Sequence, residues 1–347
     1  MPPYARTGRS KRPTLVDVAA RAGVSIGTAS NVLNHPDKVA PATVARVAEV
    51  IAELGFSRNS MASALASGDT RTLGLVVATL RNSLFVDIAQ GAQRVARGRG
   101  FALQLASAET DVEQQEAHLD LFDSARVSGL MLAPMQNSRP AIDRLRRHGR
   151  PVVVLNYASG SRDVCTVLVD NEQVGYLAAR HLIELGRTSI AFVAGMDELQ
   201  PVPLRRRGVK RAVAETGGAV RLSELTVAGL DAPDGAAAGQ RLVALGRDRP
   251  DAVLAVTDLL AMAIISQLIA ARVSVPDDVA VMGCDHDSAA WGGAIPLTSV
   301  SMEGEQMGAE AVRLLIDEIE RGIGGHDHRE VLLTPHLVVR ESTAGRQ

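Results

Sequence analysis

Two cysteines in 347 residues, Cys165 and Cys284, are too few and too far apart for a disulfide framework or a cysteine-rich zinc cluster. Aromatic residues make up only 3% of the chain, with a single Trp, so stacking on aromatic faces is expected to be weak. No apolar run reaches the ~18 residues that a membrane helix needs. The segment Met1 to Pro13 is polar and basic without an apolar stretch, so it does not read as a secretory signal. These absences exclude an integral membrane protein and a disulfide-stapled secreted domain, and they point to the cytoplasm.

What is present is the balance of a folded chain, 46% hydrophobic and 22% charged, at a length that suits more than one domain. Net charge is only −2, but it is unevenly spread. Residues 1–71 carry nine basic against five acidic side chains, and the remainder carries 28 against 34. A basic end on an acidic body suggests that one end meets phosphate.

Residues 14–56 show helical spacing and no strand-like run. Thr14 is a good N-cap, Asp17 puts negative charge in the first turn, and Leu15, Val18, Ala19 and Ala22 share one face. Gly23 ends that helix, and Ser25 caps a second whose apolar side is Ala29, Val32 and Leu33. Two short helices joined by a glycine turn are the helix-turn-helix pattern, which lays its second helix in the major groove. A third helix starts near Pro41, turns Val44, Val47, Ala48, Ile51 and Leu54 inward, and stops at Gly55. Small polar residues from Ser57 to Thr72 read as a linker.

From Leu73 onward the texture changes. Short apolar runs such as Leu73–Val77, Gly129–Ala133, Val152–Leu155 and Ser189–Ala194 alternate with amphipathic helical stretches such as Phe85–Arg97, Asn171–Leu185 and Glu305–Arg321. The expected fold class is α/β: an all-α helix-turn-helix head, then a two-lobed body of doubly wound parallel sheets.

The series Leu15…Asp17-Val18-Ala19…Ala22-Gly23-Val24-Ser25…Thr28…Ser30…Val32-Leu33-Asn34 closely resembles the head of the LacI/GalR family of bacterial repressors. Asn59…Ala62…Leu65 looks like that family's hinge helix. Gly129 to Pro134, Val169-Asp170-Asn171, Pro276 to Gly283, Pro296 to Val300 and Leu337 to Thr343 look like its core motifs, in the right order along nearly the whole chain. The resemblance implies a repressor that binds a pseudo-palindromic operator in double-stranded DNA as a homodimer or higher oligomer. It further implies a periplasmic-binding-protein-like body that senses a small molecule, with a sugar as the leading expectation. The expected divisions are a head at 1–56, a hinge helix and linker at 57–71, an effector-binding and dimerisation body at 72–340, and a tail at 341–347. Within the body, one lobe takes 72–170 with 301–329 and the other takes 171–300 with 330–340.

The resemblance assigns base reading to Ile26, Gly27 and Asn31, with Leu15 in the same DNA-facing set. Asn31 stands where many relatives carry Arg, and an Asn suits the N6/N7 edge of adenine rather than guanine. Ser25, Thr28, Ser30 and Asn34 suit phosphate contacts, which position a helix without specifying sequence. Asn59 and Ala62 lie on a hinge helix too short to be stable alone, and Leu65 matches the leucine that wedges into the minor groove.

For the body, the resemblance assigns effector contacts to Asn82, Ser83, Leu84 and Phe85 after the first strand, to Asn156 and Tyr157, and to Arg205, Leu230, Thr257, Asp258 and Asp285. An Arg and an Asp facing a cleft offer a forked donor and an acceptor, which suits a hydroxylated ligand. No phosphate loop and no GxSxG elbow occurs, so no enzyme is expected. No metal and no cofactor is expected either: the pair in His326-Asp327-His328 lies in a glycine-flanked polar loop that reads as solvated surface, and Cys284 reads as pocket lining or core. A periplasmic sugar-binding protein would explain the body but not the head. The expected location is the bacterial cytoplasm, at the nucleoid.

Overall fold

Capping chemistry sets the ends of the three head helices. In this computed structural model, which describes residues 13–56, 70–285 and 293–344, the chain divides into two compact units, 1–70 and 71–347. In the first unit α1 (Leu15–Ala22) opens on a full capping box. The Thr14 hydroxyl accepts from the Asp17 amide, and the Asp17 carboxylate accepts from the Thr14 amide at 2.7 Å. Gly23, at φ 64°, closes the helix in the left-handed region. Ser25 caps α2 (Ile26–Asn34) by accepting from the Thr28 amide at 3.0 Å. In α3 (Pro41–Leu54) proline occupies the first turn, where no amide donor is needed. Val18, Ala22, Val32, Val47 and Val50 form the core of this bundle. Ala48, expected on the apolar side, is exposed, and Val50 takes the inward position.

The second unit carries two six-stranded sheets. The first contains β1 (Thr72–Val77), β2 (Ala102–Ser107), β3 (Gly129–Leu132), β4 (Val152–Leu155), β5 (Cys165–Val169) and, near the C-terminus, Glu330–Leu333. The second contains β6 (Ser189–Ala194), β7 (Arg221–Thr226), β8 (Ala252–Ala255), β9 (Ala280–Asp285), β10 (Thr298–Ser301) and His336–Val338. The two C-terminal strands are β11 and β12. Both sheets share one order: β2-β1-β3-β4-β5-β11 and β7-β6-β8-β9-β10-β12. All ladders are parallel except β10–β12. In each sheet the strand order reverses beside the first strand, the crevice where ligands of open α/β sheets bind.

The helices of this unit are α4 (Ser83–Gly98), α5 (Val112–Ser124), α6 (Arg139–Arg147), α7 (Asn171–Glu184), α8 (Pro201–Ala214), α9 (Ala232–Ala244), α10 (Asp258–Ala270), α11 (Gly304–Arg321) and α12 (Glu341–Ala344). The chain passes between lobes three times, after β5, β10 and β11.

Two expected boundaries are corrected. Residues 330–333 belong to the first lobe, because β11 runs parallel to β5 with Val331 opposite Val167 and Leu333 opposite Val169. Residues 341–344 are not a loose tail. They form α12, whose Ser342 and Thr343 are buried. The Ser342 hydroxyl accepts from the Thr298 amide at 2.8 Å, and Thr343 Oγ1 lies 2.8 Å from His181 Nε2.

Paired glycines bring helices into backbone contact in each lobe. A Cβ on Gly91 of α4 would stand 1.9 Å from the Glu305 carbonyl oxygen of α11, and one on Gly308 would stand 1.9 Å from that of Ile88. In the second lobe a Cβ on Gly175 of α7 would meet the Arg205 carbonyl at 2.0 Å, and one on Gly208 of α8 would meet that of Glu172 at 1.9 Å. Neither backbone can yield like a flexible side chain. Gly308→Ala or Gly175→Ala should therefore cost at least about 1–3 kcal/mol, the usual cost of overpacking. Gly98→Ala, which meets open space, should cost little; urea denaturation separates the two cases.

Burial holds His181 below its ordinary value near 6.5, with the Glu184 charge opposing. The folded state therefore keeps the ring neutral, and the unfolded chain binds the extra proton. The resulting stability is complete above the unfolded pKa and is lost as pH falls from there toward the folded one. Unfolding free energy should decline as pH falls below the ordinary histidine value near 6.5, and His181→Gln should flatten part of that slope.

Candidate DNA-reading face and inter-lobe ligand site

In the head, Ser25, Ile26, Gly27 and Asn31 of the second helical segment are exposed, whereas Leu15, Thr28 and Ser30 are half-buried. Ile26 is 52% exposed, an unusual state for an aliphatic side chain, and Val16 of α1 is 55% exposed. Val16 escaped the sequence reading; its place outside the apolar face of α1 was the available signal. The Ser25 hydroxyl is engaged in capping and lies 2.9 Å from Thr28 Oγ1, so its first role is local. Asn34 ends α2, and its side chain lies outside the described residues. Asn59, Ala62 and Leu65 also lie outside them. The Arg21 guanidinium of α1 meets Glu53 of α3 at 2.6 Å, tying the first and third helices together.

In the second unit, a cavity of about 270 Å³ lies beyond the carboxyl ends of the strands, between the lobes. Leu84, Phe85, Leu230 and Thr257 line it. So do Asn82, Asn156, Arg205 and Asp285, which belong to one connected set of polar groups. Asn156 Oδ1 accepts from Asn171 Nδ2 at 2.8 Å, and Asn171 Oδ1 accepts from Arg205 Nε at 3.0 Å. The Arg205 guanidinium stands 3.6 Å from the Asp285 carboxylate, and Asp285 Oδ2 accepts from Asn82 Nδ2 at 3.0 Å. The path starts in the first lobe, crosses through the second and returns to the first.

Arg205 is only 4% exposed. It also donates to the Val256 and Cys284 carbonyls and contacts Met302 Sδ. A buried guanidinium is tolerated here because its donors have partners.

Three residues of the expected contact set lie outside this lining. The chain turns at Asn156, φ 48°, and Tyr157 packs against the outer core cluster that contains Val76, Phe122 and Val154. Asp258 is fully buried and accepts from Ser299 Oγ at 2.6 Å. Its amide points to Asp285 Oδ2 at 3.4 Å, so it supports the site from behind. Ser83 is buried and also outside the lining. Cys284 belongs to the core, where burial pushes its thiol up to about 12.

Sequence reasoning missed Asn171 and the charged rim. Arg81 reaches Asp231 across the cleft at 3.6 Å and Glu109 at 3.6 Å. Burial, followed by the Asp234 hydrogen bond, holds the Asp231 carboxyl above its usual range. The Asp231-x-x-Asp234 capping box after β7 was the available signal. Four of the eight described non-glycine residues with positive φ, Glu109, Thr110, Asn156 and Met196, line the cavity, and such strain gathers at ligand sites. The described lining contains no His, Cys or Ser.

Residues 14–59 match the model for bacterial regulatory proteins of the lacI family, and residues 179–343 match a periplasmic binding protein-like domain. A solved complex of the transcriptional regulator CelR with cellobiose is 32% identical, covering 95% of this chain and 100% of that one, at a TM-score of 0.69. The chain belongs to the LacI family of bacterial regulators. Curated relatives of this LacI-family regulator include the HTH-type transcriptional repressor PurR of Photobacterium profundum. That protein is 29% identical over 330 residues, covering 95% of this chain and 98% of its own. The lac repressor dimer bound to operator and an anti-inducer has the same fold, at 23% identity and a TM-score of 0.79 over 96% of this chain and 99% of that one. The LacI-family chain is accordingly a DNA-binding, effector-binding transcriptional regulator and not an enzyme. No helix among its described residues is long and apolar enough to cross a membrane.

Arg205→Leu should destabilise the regulator by about 3–5 kcal/mol, because it strands a buried carboxylate. Asn82→Ala removes a neutral donor to Asp285 and the N-cap acceptor for the Leu84 amide at 2.9 Å, and should cost about 1–2 kcal/mol. Chemical denaturation of the two variants beside the parent measures the ratio.

Proposed function

We propose that this regulator represses transcription as a homodimer on a pseudo-palindromic operator, in the cytoplasm, and that a small sugar or related polyol between its lobes controls it. The observation that carries the reading is the polar path Asn156–Asn171–Arg205–Asp285–Asn82, which crosses the cleft twice and lies in its wall. A ligand seated there competes for those hydrogen bonds and so changes how the lobes close. A rim with Arg81, Glu109 and Asp231 adds donors and acceptors suited to hydroxyl groups. Phe85 is the single aromatic in the described lining, which favours a hydroxylated ring over a flat heterocycle that needs stacking on both faces. The likeness to the CelR–cellobiose complex supports the same class.

Two heads on a symmetric dimer read two half-sites. Ile26, Gly27 and Asn31 face the bases: Ile26 makes apolar contact, Gly27 admits the backbone, and Asn31 pairs with adenine. Leu15, Ser25, Thr28, Ser30 and Asn34 position the helix, while Asn59, Ala62 and Leu65 form the hinge helix that inserts at the operator centre. Closure of the lobes changes the spacing of the two hinge segments, which gives the two-state element that allostery requires.

Selection of DNA sites from a random pool, repeated with sugars and with purines, tests this reading. The expected product is an inverted repeat whose enrichment changes with a sugar, and the direction of change gives the sign of control. An unenriched pool would sink the operator assignment, and a response to purines alone would sink the sugar. Asn31→Ala should lose about 1–3 kcal/mol of discrimination at one base pair per half-site, measured by competition binding.

A further inference from the structure

The loop between α11 and β11 folds back onto the start of β5 and brings three metal-ligating side chains together. Cys165 Sγ lies 3.0 Å from His326 Nε2 and 3.8 Å from His328 Nδ1. All three ligand atoms lie within 4.8 Å of one another. The loop expected to be solvated is therefore folded in. Cys165 is fully buried, and the side chains of His326 and His328 are 1% and 11% exposed. We propose that Cys165, His326 and His328 form a site for a single Zn²⁺-class cation, separate from the inter-lobe cavity.

Metal–ligand lengths of about 2.3 Å to sulfur and about 2.05 Å to nitrogen place tetrahedral ligand atoms about 3.4–3.6 Å apart. The observed separations fall on both sides of that value, so small side-chain shifts complete the site. A thiolate with two imidazoles suits zinc rather than magnesium or calcium, which seek oxygen. Three protein ligands leave a fourth position for solvent, and partly exposed His328 provides the way in.

The partner of His326 is arranged as a zinc site requires, whereas His328 has to change tautomer. His326 Nδ1 lies 2.9 Å from Asp317 Oδ2, the carboxylate–histidine arrangement that fixes a ligating imidazole and leaves Nε2 free to bind metal. His328 Nε2 lies 3.1 Å from Arg146 and 4.0 Å from Glu318 Oε1. Arg146 can only donate, so Nε2 accepts and the ring proton sits on Nδ1, towards Cys165. Metal binding through Nδ1 moves that proton to Nε2 and breaks the Arg146 hydrogen bond there, while Arg146 keeps its 2.7 Å bond to Glu318 Oε1. The thiol proton leaves to solvent as the metal–sulfur bond forms. Glu318 is fully buried, and its Oε2 has no hydrogen-bond partner among the described residues. Arg146 already pairs with Glu318 Oε1 at 2.7 Å, and the unpartnered Oε2 leaves acceptor capacity beside the cluster.

Cys165 opens β5, at the amino ends of the parallel strands, whereas the cavity lies beyond their carboxyl ends. The chain enters β1 at that same amino-terminal edge. An occupied site would pin the 322–329 loop to the edge that receives the linker from the head.

Co²⁺ titration of the reduced, chelator-stripped full-length protein tests the assignment. We expect one equivalent to give a thiolate-to-cobalt charge-transfer band with tetrahedral visible bands, and one equivalent of Zn²⁺ to displace it. Cys165→Ser should abolish the charge-transfer band, whereas Cys284→Ser should keep it. Asp317→Asn, which leaves all three ligands in place, should weaken Zn²⁺ binding about ten- to hundredfold. Zn²⁺ should raise the melting temperature of the parent and of Cys284→Ser. Absence of the band in the folded parent, or its survival in Cys165→Ser, would overturn the proposal.

Discussion

A guanidinium with almost no solvent, Arg205, holds the sensing body together. Its donors go to a side chain on the same lobe, to two backbone carbonyls at strand ends and to Met302, while its charge stands beside Asp285. Removing such a charge from water is expensive, so it persists only where the surrounding geometry supplies its partners. The strand ends of β8 and β9 and the first turn of α7 are thereby held in register. Asp285 extends the constraint to the first lobe through Asn82, and Asn171 does so through Asn156. The ligand site and the bond between lobes are therefore the same set of atoms. Any small molecule that enters changes both.

Local chemistry made much of the fold legible. The head needs only neighbouring residues: Thr14 with Asp17, Gly23, Ser25, and a proline in the first turn of α3. Buried central strands such as β1, β3 and β4 announce themselves as apolar runs. The edge strand β7 does not. β7 reads Arg-Leu-Ser-Glu-Leu-Thr because one side has no neighbour and much of it meets solvent. Helix α6 was hidden by its five arginine and aspartate positions, and α9 by alanines and glycines whose burial comes only from packing. The assignment of 330–333 failed for a different reason. Nothing in a four-residue strand says which sheet will accept it, and the choice is made by pairing with β5.

The sites divide along the same line. Residues placed at strand ends by the family pattern, such as Asn82, Arg205 and Asp285, do line the cavity. Tyr157 follows a left-handed turn at Asn156 and packs into a core instead, a backbone reversal that residue identity alone does not reveal. The cluster of Cys165 with His326 and His328 is the extreme case. Its members are some 160 positions apart, and their meeting depends on β11 returning to the first sheet beside β5. The same strand assignment that sequence reasoning missed is the one that creates the cluster.

The glycine seams carry a mechanical consequence. Where α4 meets α11, and where α7 meets α8, carbonyl oxygens occupy the space that side chains would otherwise fill. Side chains can slide and change rotamer, whereas two backbones in contact cannot. In each lobe one pair of outer helices is thereby keyed together along its seam. Compliance is left to the three short connections after β5, β10 and β11.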